Sequence, residues 1–308
     1  GWVVNLFQRG AASMRRINEI FRAQPQIRDV PDVAAPPLIR GRIEFRNVSF
    51  RYPGTDRDVL RNVSFEVDAG EMLAVVGATG SGKSALVNLI ARIYDPTEGE
   101  ILIDGVPIER YPLKDLRAAI GMVPQDAFLF SDTIRENLSV GLGDGENDDA
   151  EERIRRAAGI AQFDATVRDF AEGYDTLLGE RGVNLSGGQK QRAALARAIA
   201  RDPRILILDD ALSAVDTQTE ARILRGLRSV LRERTSIVVS HRVTAVMYAD
   251  LIIVLDDGEL VERGRHDELL ARGGTYATLL RRQILAQEVG ETGTDDVRHV
   301  LAGPGAPI

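Results

Sequence analysis

Gly77-Ala78-Thr79-Gly80-Ser81-Gly82-Lys83-Ser84 stands between an apolar run, Met72-Leu73-Ala74-Val75-Val76, and the helix-like Ala85-Leu86-Val87-Asn88-Leu89-Ile90-Ala91. The order strand, glycine-rich loop, helix satisfies the phosphate-binding pattern G-x-x-x-x-G-K-[ST]. Gly77, Gly80 and Gly82 let backbone N–H groups turn inward around a polyphosphate, at the positive end of a helix dipole. Lys83 is placed to reach the β- and γ-phosphates, and the Ser84 hydroxyl to hold Mg²⁺. The competing reading is a Gly/Ser-rich turn between a strand and a helix, and the rest of the chain has to decide between them.

The 308 residues are 44% hydrophobic and 28% charged, enough for one large domain or two smaller ones with real cores. The net charge of −7 implies no general attraction to nucleic acid. Lysine occurs only at Lys83, Lys114 and Lys190, which makes its presence in the glycine-rich loop more noticeable. The absence of cysteine excludes disulfides, thiolate metal sites and cysteine nucleophiles. No run of 18 or more apolar residues is present, so no complete membrane span is expected, and the start carries no signal-peptide pattern.

Residues 1–24 read as helix, with Leu6, Met14, Ile17 and Phe21 near helical spacing and Arg15, Arg16 and Arg22 beside them. Two readings stay open on pattern alone: a terminal helix docked on the domain, or the cytoplasmic end of a membrane helix. Residues 25–41, with Pro25, Pro31, Pro36 and Pro37, have linker chemistry. From residue 42, Ile43–Phe50 and Leu60–Val67 read as antiparallel strands. Strand Glu100–Val106 contains an Asp104-Gly105 hairpin turn, and a short strand Ile120–Val123 ends at Pro124-Gln125. Charged, Ala-rich helical patterns then dominate to about 185, interrupted by the acidic, Gly-rich stretch 141–149, and read as an inserted helical subdomain. A helix from near Ser186 to Ala200 is followed by apolar strands at 205–208, 236–239 and 251–255. Alternating β and α elements of this kind predict a three-layer α/β core with a buried parallel sheet. The last helix is expected near Tyr276–Gln287, with residues 288–308 a disordered acidic Gly/Pro tail.

Three further stretches carry chemistry. The strand 205–208 ends in Asp209-Asp210, at the sheet edge where α/β folds place ligands. Asp209 is suited to hold Mg²⁺ opposite Ser84, and Asp210 to polarise an attacking water; without the phosphate loop, the pair would read as a plain loop start. Ser240-His241 repeats the geometry, offering His241 to a γ-phosphate or water, whereas His266 and His299 fall in a helix start and the tail. Leu185-Ser186-Gly187-Gly188-Gln189-Lys190-Gln191-Arg192 supplies a second anion-type helix N-terminus, with Ser186 as N-cap. One nucleotide does not need both termini from one subunit, which a dimer would explain.

With these motifs in this order, residues 42–287 resemble the nucleotide-binding domain of ABC transporters. The resemblance rests on the phosphate loop 77–84, the LSGGQ signature 185–189 and Ile205–Asp209 as second nucleotide motif. It extends to Gln125 as Q-loop glutamine, Ser213–Asp216 as D-loop, His241 as switch histidine and Tyr52 as the aromatic that stacks on adenine. It implies a P-loop NTPase fold: a three-layer core with an antiparallel β subdomain and an inserted α-helical subdomain of about 126–185. It also implies ATP held by residues 77–84 and by Ser186, Gly187, Gly188 and Gln189 of a second chain. Mg²⁺ would sit at Ser84, Gln125 and Asp209, and hydrolysis would involve Lys83, Gln125, Asp210 and His241. Gly179-Glu180-Arg181-Gly182 resembles the loop by which exporters contact their membrane domains. Residues 1–24 then look like the end of a sixth transmembrane helix, on the cytoplasmic face, with the membrane domain upstream in the same full-length chain.

One position departs from the family's pattern: the catalytic base after Asp209 is usually Glu, and here it is Asp210. The shorter side chain resembles the slow site of heterodimeric exporters, so a second, different half-transporter is the favoured partner, against a homodimer. The retained His241 speaks against that. Two other functions compete with the exporter engine. A soluble ABC-type ATPase of DNA repair or translation would be expected to carry a basic patch, a long coiled-coil insertion or a second cassette, none of which is present. A regulatory module would close on ATP without useful hydrolysis. Nothing in 42–287 reads the transported substrate.

Overall fold

The computed structural model describes residues 1–22, 24–30, 38–142, 149–240 and 246–291. Helix α1 (Trp2–Arg22) has no buried residue, and Trp2, Phe7 and Phe21 stand well exposed, so it does not dock on the rest of the described chain. No helix among the described residues is long and apolar enough to cross a membrane. The segment after α1 is nonetheless fastened down. The Asp29 carboxylate accepts from Leu113 N at 2.7 Å, and the Arg28 carbonyl from the buried Arg92 guanidinium at 3.2 Å. Further on, Arg40, Gly41 and Arg42 all donate their backbone N–H groups to the Asp104 carboxylate.

Two sheets follow. β1 (Ile43–Arg51), β2 (Asp58–Val67), β4 (Glu98–Ile103) and β5 (Val106–Pro107) form an antiparallel sheet in the order β2-β1-β4-β5. Phe45 pairs directly with Phe65, rings stacked at 4.6 Å. The turn between β4 and β5 uses Asp104 and Gly105 at φ 51° and 79°, the left-handed pair that a two-residue hairpin needs. The second sheet joins β3 (Met72–Gly77), β6 (Ile120–Val123), β7 (Ile205–Asp209), β8 (Thr235–Val239), β9 (Leu251–Asp256) and β10 (Glu259–Gly264). Its order is β10-β9-β3-β8-β7-β6, parallel throughout except for β10.

The apolar strand runs are explained by burial on both faces. Leu73, Val75, Ile205, Ile207, Ile237 and Val239 pack towards the antiparallel sheet, with helix α2 (Lys83–Ile90) between the two sheets. Leu206, Leu208 and Val238 turn to the other face. There they meet α7 (Gly187–Ala200) and α8 (Thr217–Arg232), with α4 (Ile134–Ser139), α5 (Ala150–Ile160) and α6 (Asp164–Arg168) in the same apolar cluster. α3 (Leu113–Ala119) leads into β6. Ala74, Val76, Ile252 and Val254 pack instead against α9 (His266–Arg272) and α10 (Thr275–Glu291).

Two details depart from expectation. Edge strand β10 was not read from the sequence, and α10 runs on to Glu291 instead of stopping near Gln287. Residues 292–308, the rest of the expected tail, lie outside the described residues.

Candidate functional site

β3, β8 and β7 are neighbours, so Gly77 and Asp209 leave the sheet at the same edge, where Asp209 pairs with Val239. Gly82 is the N-cap of α2 at φ 101°, a conformation glycine adopts without strain, and a Cβ there would meet Val59 O at 2.8 Å. No side chain caps α2, so its first-turn amides are left to an outside acceptor. Lys83 is buried and folded back over the loop, its Nζ donating to Gly77 O at 3.0 Å and Ala78 O at 2.8 Å. Burial pushes the Lys83 ammonium below the usual lysine range, while the Asp210 and Asp209 carboxylates pull it up. The loop thus holds a cation next to two carboxylates. Ser81 Oγ is buried inside it with no hydrogen-bond partner, and Ser84 is exposed.

Tyr52 lies alongside. Its ring is half-buried, edge-on to Phe50 at 4.9 Å and to Tyr94 at 5.3 Å, and its hydroxyl is hydrogen-bonded to Asn88 of α2. Burial first, then Tyr94, raises the Tyr52 phenol above its ordinary value; Asp209 adds to the rise, which places the ring within electrostatic reach of that carboxylate.

The Ser-Gly-Gly segment opens α7. Ser186 Oγ accepts from Gln189 N at 3.3 Å and Gln189 Oε1 from Ser186 N at 2.8 Å, a reciprocal capping box. Gly187 is exposed. Gly188 sits where only glycine fits, since a Cβ would lie 2.6 Å from the carbonyl oxygen of Ala214. Among the described residues no hydrogen bond, ion pair or ring contact joins residues 77–84 to 185–189.

Residues 60–213 match the ABC transporter family, half of the chain. The chain belongs to the ABC transporter family. It is 46% identical over 276 residues to the uncharacterized ABC transporter ATP-binding protein YknU of Bacillus subtilis (strain 168), covering 90% of this chain and 46% of that protein. The ATP-dependent lipid A-core flippase of Aromatoleum aromaticum is 47% identical over 281 residues, covering 90% and 45%. Among solved structures, a bacterial Atm1-family ABC exporter with ATP bound superposes with a TM-score of 0.84 at 42% identity, covering 92% and 49%. The chain spans about half the length of these relatives.

In this ABC domain the structure gathers Tyr52, Lys83, Asp209 and Asp210 into one neighbourhood, while Ser186 and Gln189 are engaged with each other in the capping box. Gln125 is exposed at the end of β6, and His241 lies outside the described residues. Asp210 adopts a left-handed φ of 46°, which Asp tolerates better than most side chains; its N–H donates to Val239 O at 3.0 Å. Asp216 caps α8 through Thr219 N at 2.9 Å, and that bond holds its carboxyl below the usual range. A cavity of about 980 Å³ lies on the far side of the sheet from α2, between Leu208, Val238 and α8, with Gln125, Asp210 and Ser240 among its lining residues. Its lining mixes apolar side chains with charged ones such as Glu71, Arg225 and Asp250 and includes none of residues 77–84, so it is not the phosphate cradle.

Three participants escaped the sequence reading. Asn88 and Tyr94 fix Tyr52. Gln191 is buried on α7 and bonded to the Gln125, Asp210, Ser213 and Ala214 segments. A signal for Gln191 existed: Gln191, Ala194, Leu195 and Ala198 follow helical spacing, so a polar residue sits on the apolar stripe.

Proposed function

We propose that this chain is the ATP-hydrolysing engine of a membrane exporter and works as a head-to-tail dimer with two ATP molecules between the subunits. One observation carries this reading. The chain holds a phosphate loop beside two carboxylates, yet among the described residues no hydrogen bond, ion pair or ring contact joins its Ser-Gly-Gly helix terminus to that loop. The uncapped α2 and Lys83 would hold the phosphates, Tyr52 the adenine, and Ser186–Gln189 of a second chain the far side of the γ-phosphate.

The residues fit Mg²⁺ as well. Ser84 is exposed at the start of α2 and Asp209 ends β7. No cluster of three or more His, Cys, Asp or Glu with metal-binding geometry occurs among the described residues, in keeping with an ion held largely by phosphate oxygens. When bound, Mg²⁺ neutralises charge on the phosphates. Asp210 would accept a hydrogen bond from the attacking water, in line with the γ-phosphate, with Gln125 and His241 completing the site.

Exposed apolar residues support docking to a membrane domain. Phe128 and Phe130 meet edge-on at 5.1 Å and are about half exposed, with Leu177 and Val183 more so. Arg197 of α7 holds this loop, donating to Phe128 O at 2.9 Å and Asn137 O at 2.7 Å. We assign residues 1–24 to the end of a transmembrane helix, 25–41 to the linker and 42–287 to the ATP-binding domain, at the cytoplasmic face of the membrane. The exporter relatives and the net charge of −7 favour this over the soluble DNA-repair or translation ATPase.

Complementation tests the shared site. Lys83→Ala and Ser186→Arg variants should each fail to dimerise with MgATP in analytical ultracentrifugation, and an equimolar mixture should recover dimer, because one composite site is intact. A chain that stays monomeric at saturating ATP while hydrolysing it refutes the arrangement. Asp210 decides the partner: slow turnover by the chain alone, raised by Asp210→Glu, supports a heterodimer with a second half-transporter. Robust turnover abolished by Asp210→Asn would sink that reading and the regulatory-module reading with it.

A further inference from the structure

Gln191 is 5% exposed, and its amide is fully engaged. Its Oε1 accepts from Ala214 N at 2.9 Å, and its Nε2 donates to Ser213 Oγ at 2.9 Å. The same Nε2 faces two carbonyls at longer range, Gln125 O at 3.4 Å and Asp210 O at 3.5 Å. This environment fixes the amide orientation, since Ala214 N only donates and the two carbonyls only accept. One side chain therefore touches the segment bearing Gln125, the turn bearing Asp210 and the loop 213–214. All three are tied to α7, whose first turn carries Ser186–Gly188.

The Asp210 turn needs such a tie. Its residue is held in a left-handed conformation at a strand end, and the turn closes locally through Ser213 N to Asp210 O at 3.1 Å. Gly188 allows α7 to approach Ala214 closely from the same side. A buried amide spanning these pieces keeps the carboxylate at one distance from the phosphate loop. We propose that Gln191 is a positioning residue for hydrolysis: it sets the Asp210 turn and the Gln125 segment against the signature helix. A shift of α7 on closure against a second chain is thereby passed to this chain's own Asp210. The proposal rests on the ATPase reading above.

Two near-isosteric variants of the 308-residue chain test it. Gln191→Met fills the space without polar atoms; Gln191→Glu keeps the acceptor for Ala214 N but turns a second oxygen towards the two carbonyls. Single-turnover phosphate release with enzyme in excess reads even a slow site, at a temperature where circular dichroism shows every variant folded. Both variants should lower the rate by about 10–100-fold, the cost of misplacing a catalytic group by a fraction of an ångström to an ångström. The dissociation constant for fluorescent ATP should stay within about twofold of wild type, because no phosphate contact is touched. A folded Gln191→Met variant at the wild-type rate overturns the proposal, as does a rate loss matched by lost ATP affinity. A wild-type chain no faster than Lys83→Ala would instead remove the ATPase reading itself.

Discussion

Gly187 and Gly188 are adjacent, both in the first turn of α7, and the structure gives them opposite tolerances. A methyl group at Gly187 would meet the Ala214 methyl at 3.6 Å, an ordinary contact. At Gly188 it would lie 2.6 Å from the Ala214 carbonyl oxygen, where a carbon and an oxygen normally stay about 3.3 Å apart. Something must give by about 0.7 Å, and the obstacle is backbone, so no rotamer change relieves it. Replacing helical glycine with alanine gains about 0.5–1 kcal/mol, whereas overpacking costs about 1–3 kcal/mol. Gly187→Ala should therefore be neutral to stabilising, and Gly188→Ala should fall below it by about 1–3 kcal/mol. In a domain of this size that separates their melting temperatures by about 2–8 °C without nucleotide. The loop that must move is the one Gln191 ties to Asp210, so phosphate release should slow by about 10-fold or more in Gly188→Ala at a temperature where it is folded. Scanning calorimetry of the two variants side by side is the assay. Equal melting temperatures would refute the contact between the signature turn and Ala214.

Lys83 gives a pH signature. Burial lowers its proton affinity, so between the lowered value and the ordinary lysine value the unfolded chain binds more protons than the folded one. Its contribution to stability therefore rises with pH, and the urea midpoint of wild type minus that of Lys83→Ala should increase as the pH climbs towards the ordinary lysine value of about 10.4; a flat difference rejects the assignment. Asp104→Ala removes the acceptor for three consecutive amides at Arg40, Gly41 and Arg42 and should cost about 1–3 kcal/mol in urea unfolding, with faster proteolysis near residue 40. Tyr52→Leu should weaken ATP binding by about 10-fold, as one lost base stack does, while Tyr52→Phe keeps the ring and loses only the bond to Asn88. Equal effects of the two substitutions in isothermal titration would show that the hydroxyl, not the ring, matters.

Elements with a local cause were legible in the sequence. Ala74–Val76 and Ile205–Leu208 read as buried strands because both of their faces meet apolar layers. Asp104-Gly105 read as a hairpin because few other pairs take two left-handed residues in succession. Glu259–Gly264 did not read as a strand: an edge strand with Glu259, Glu262 and Arg263 looks like a polar loop until β9 supplies its partner. The N-terminal helix had two readings because its apolar spacing is the same whether or not anything covers it, and in the structure nothing of it is buried. Gln191, Asn137 and Arg197 were missed for a related reason. A polar residue in a helix reads as solvent-facing, and only tertiary contact shows that Asn137 satisfies the backbone of the loop just before its helix while Gln191 and Arg197 hold loops far away in sequence.

The two helix termini differ in a way that would order the events at the proposed shared site. The N-terminus of α2 is uncapped and has a buried ammonium beside it, so an arriving phosphate gains several N–H donors and a cation. The N-terminus of α7 already has its capping box filled, an arrangement worth about 1 kcal/mol, in which Ser186 Oγ accepts from Gln189 N and keeps its own O–H free to donate to a phosphate. Its remaining attraction is the two glycine amides and a partial dipole charge, weak on its own in water. ATP should accordingly bind the phosphate loop of a lone chain first, with the partner's α7 adding little affinity until the nucleotide is fixed and dehydrated. What α7 contributes then is position. Through Gly188 and Gln191 its placement is linked to the turn that carries its own chain's Asp210, so in the proposed dimer docking on one nucleotide would constrain the chemistry at the other.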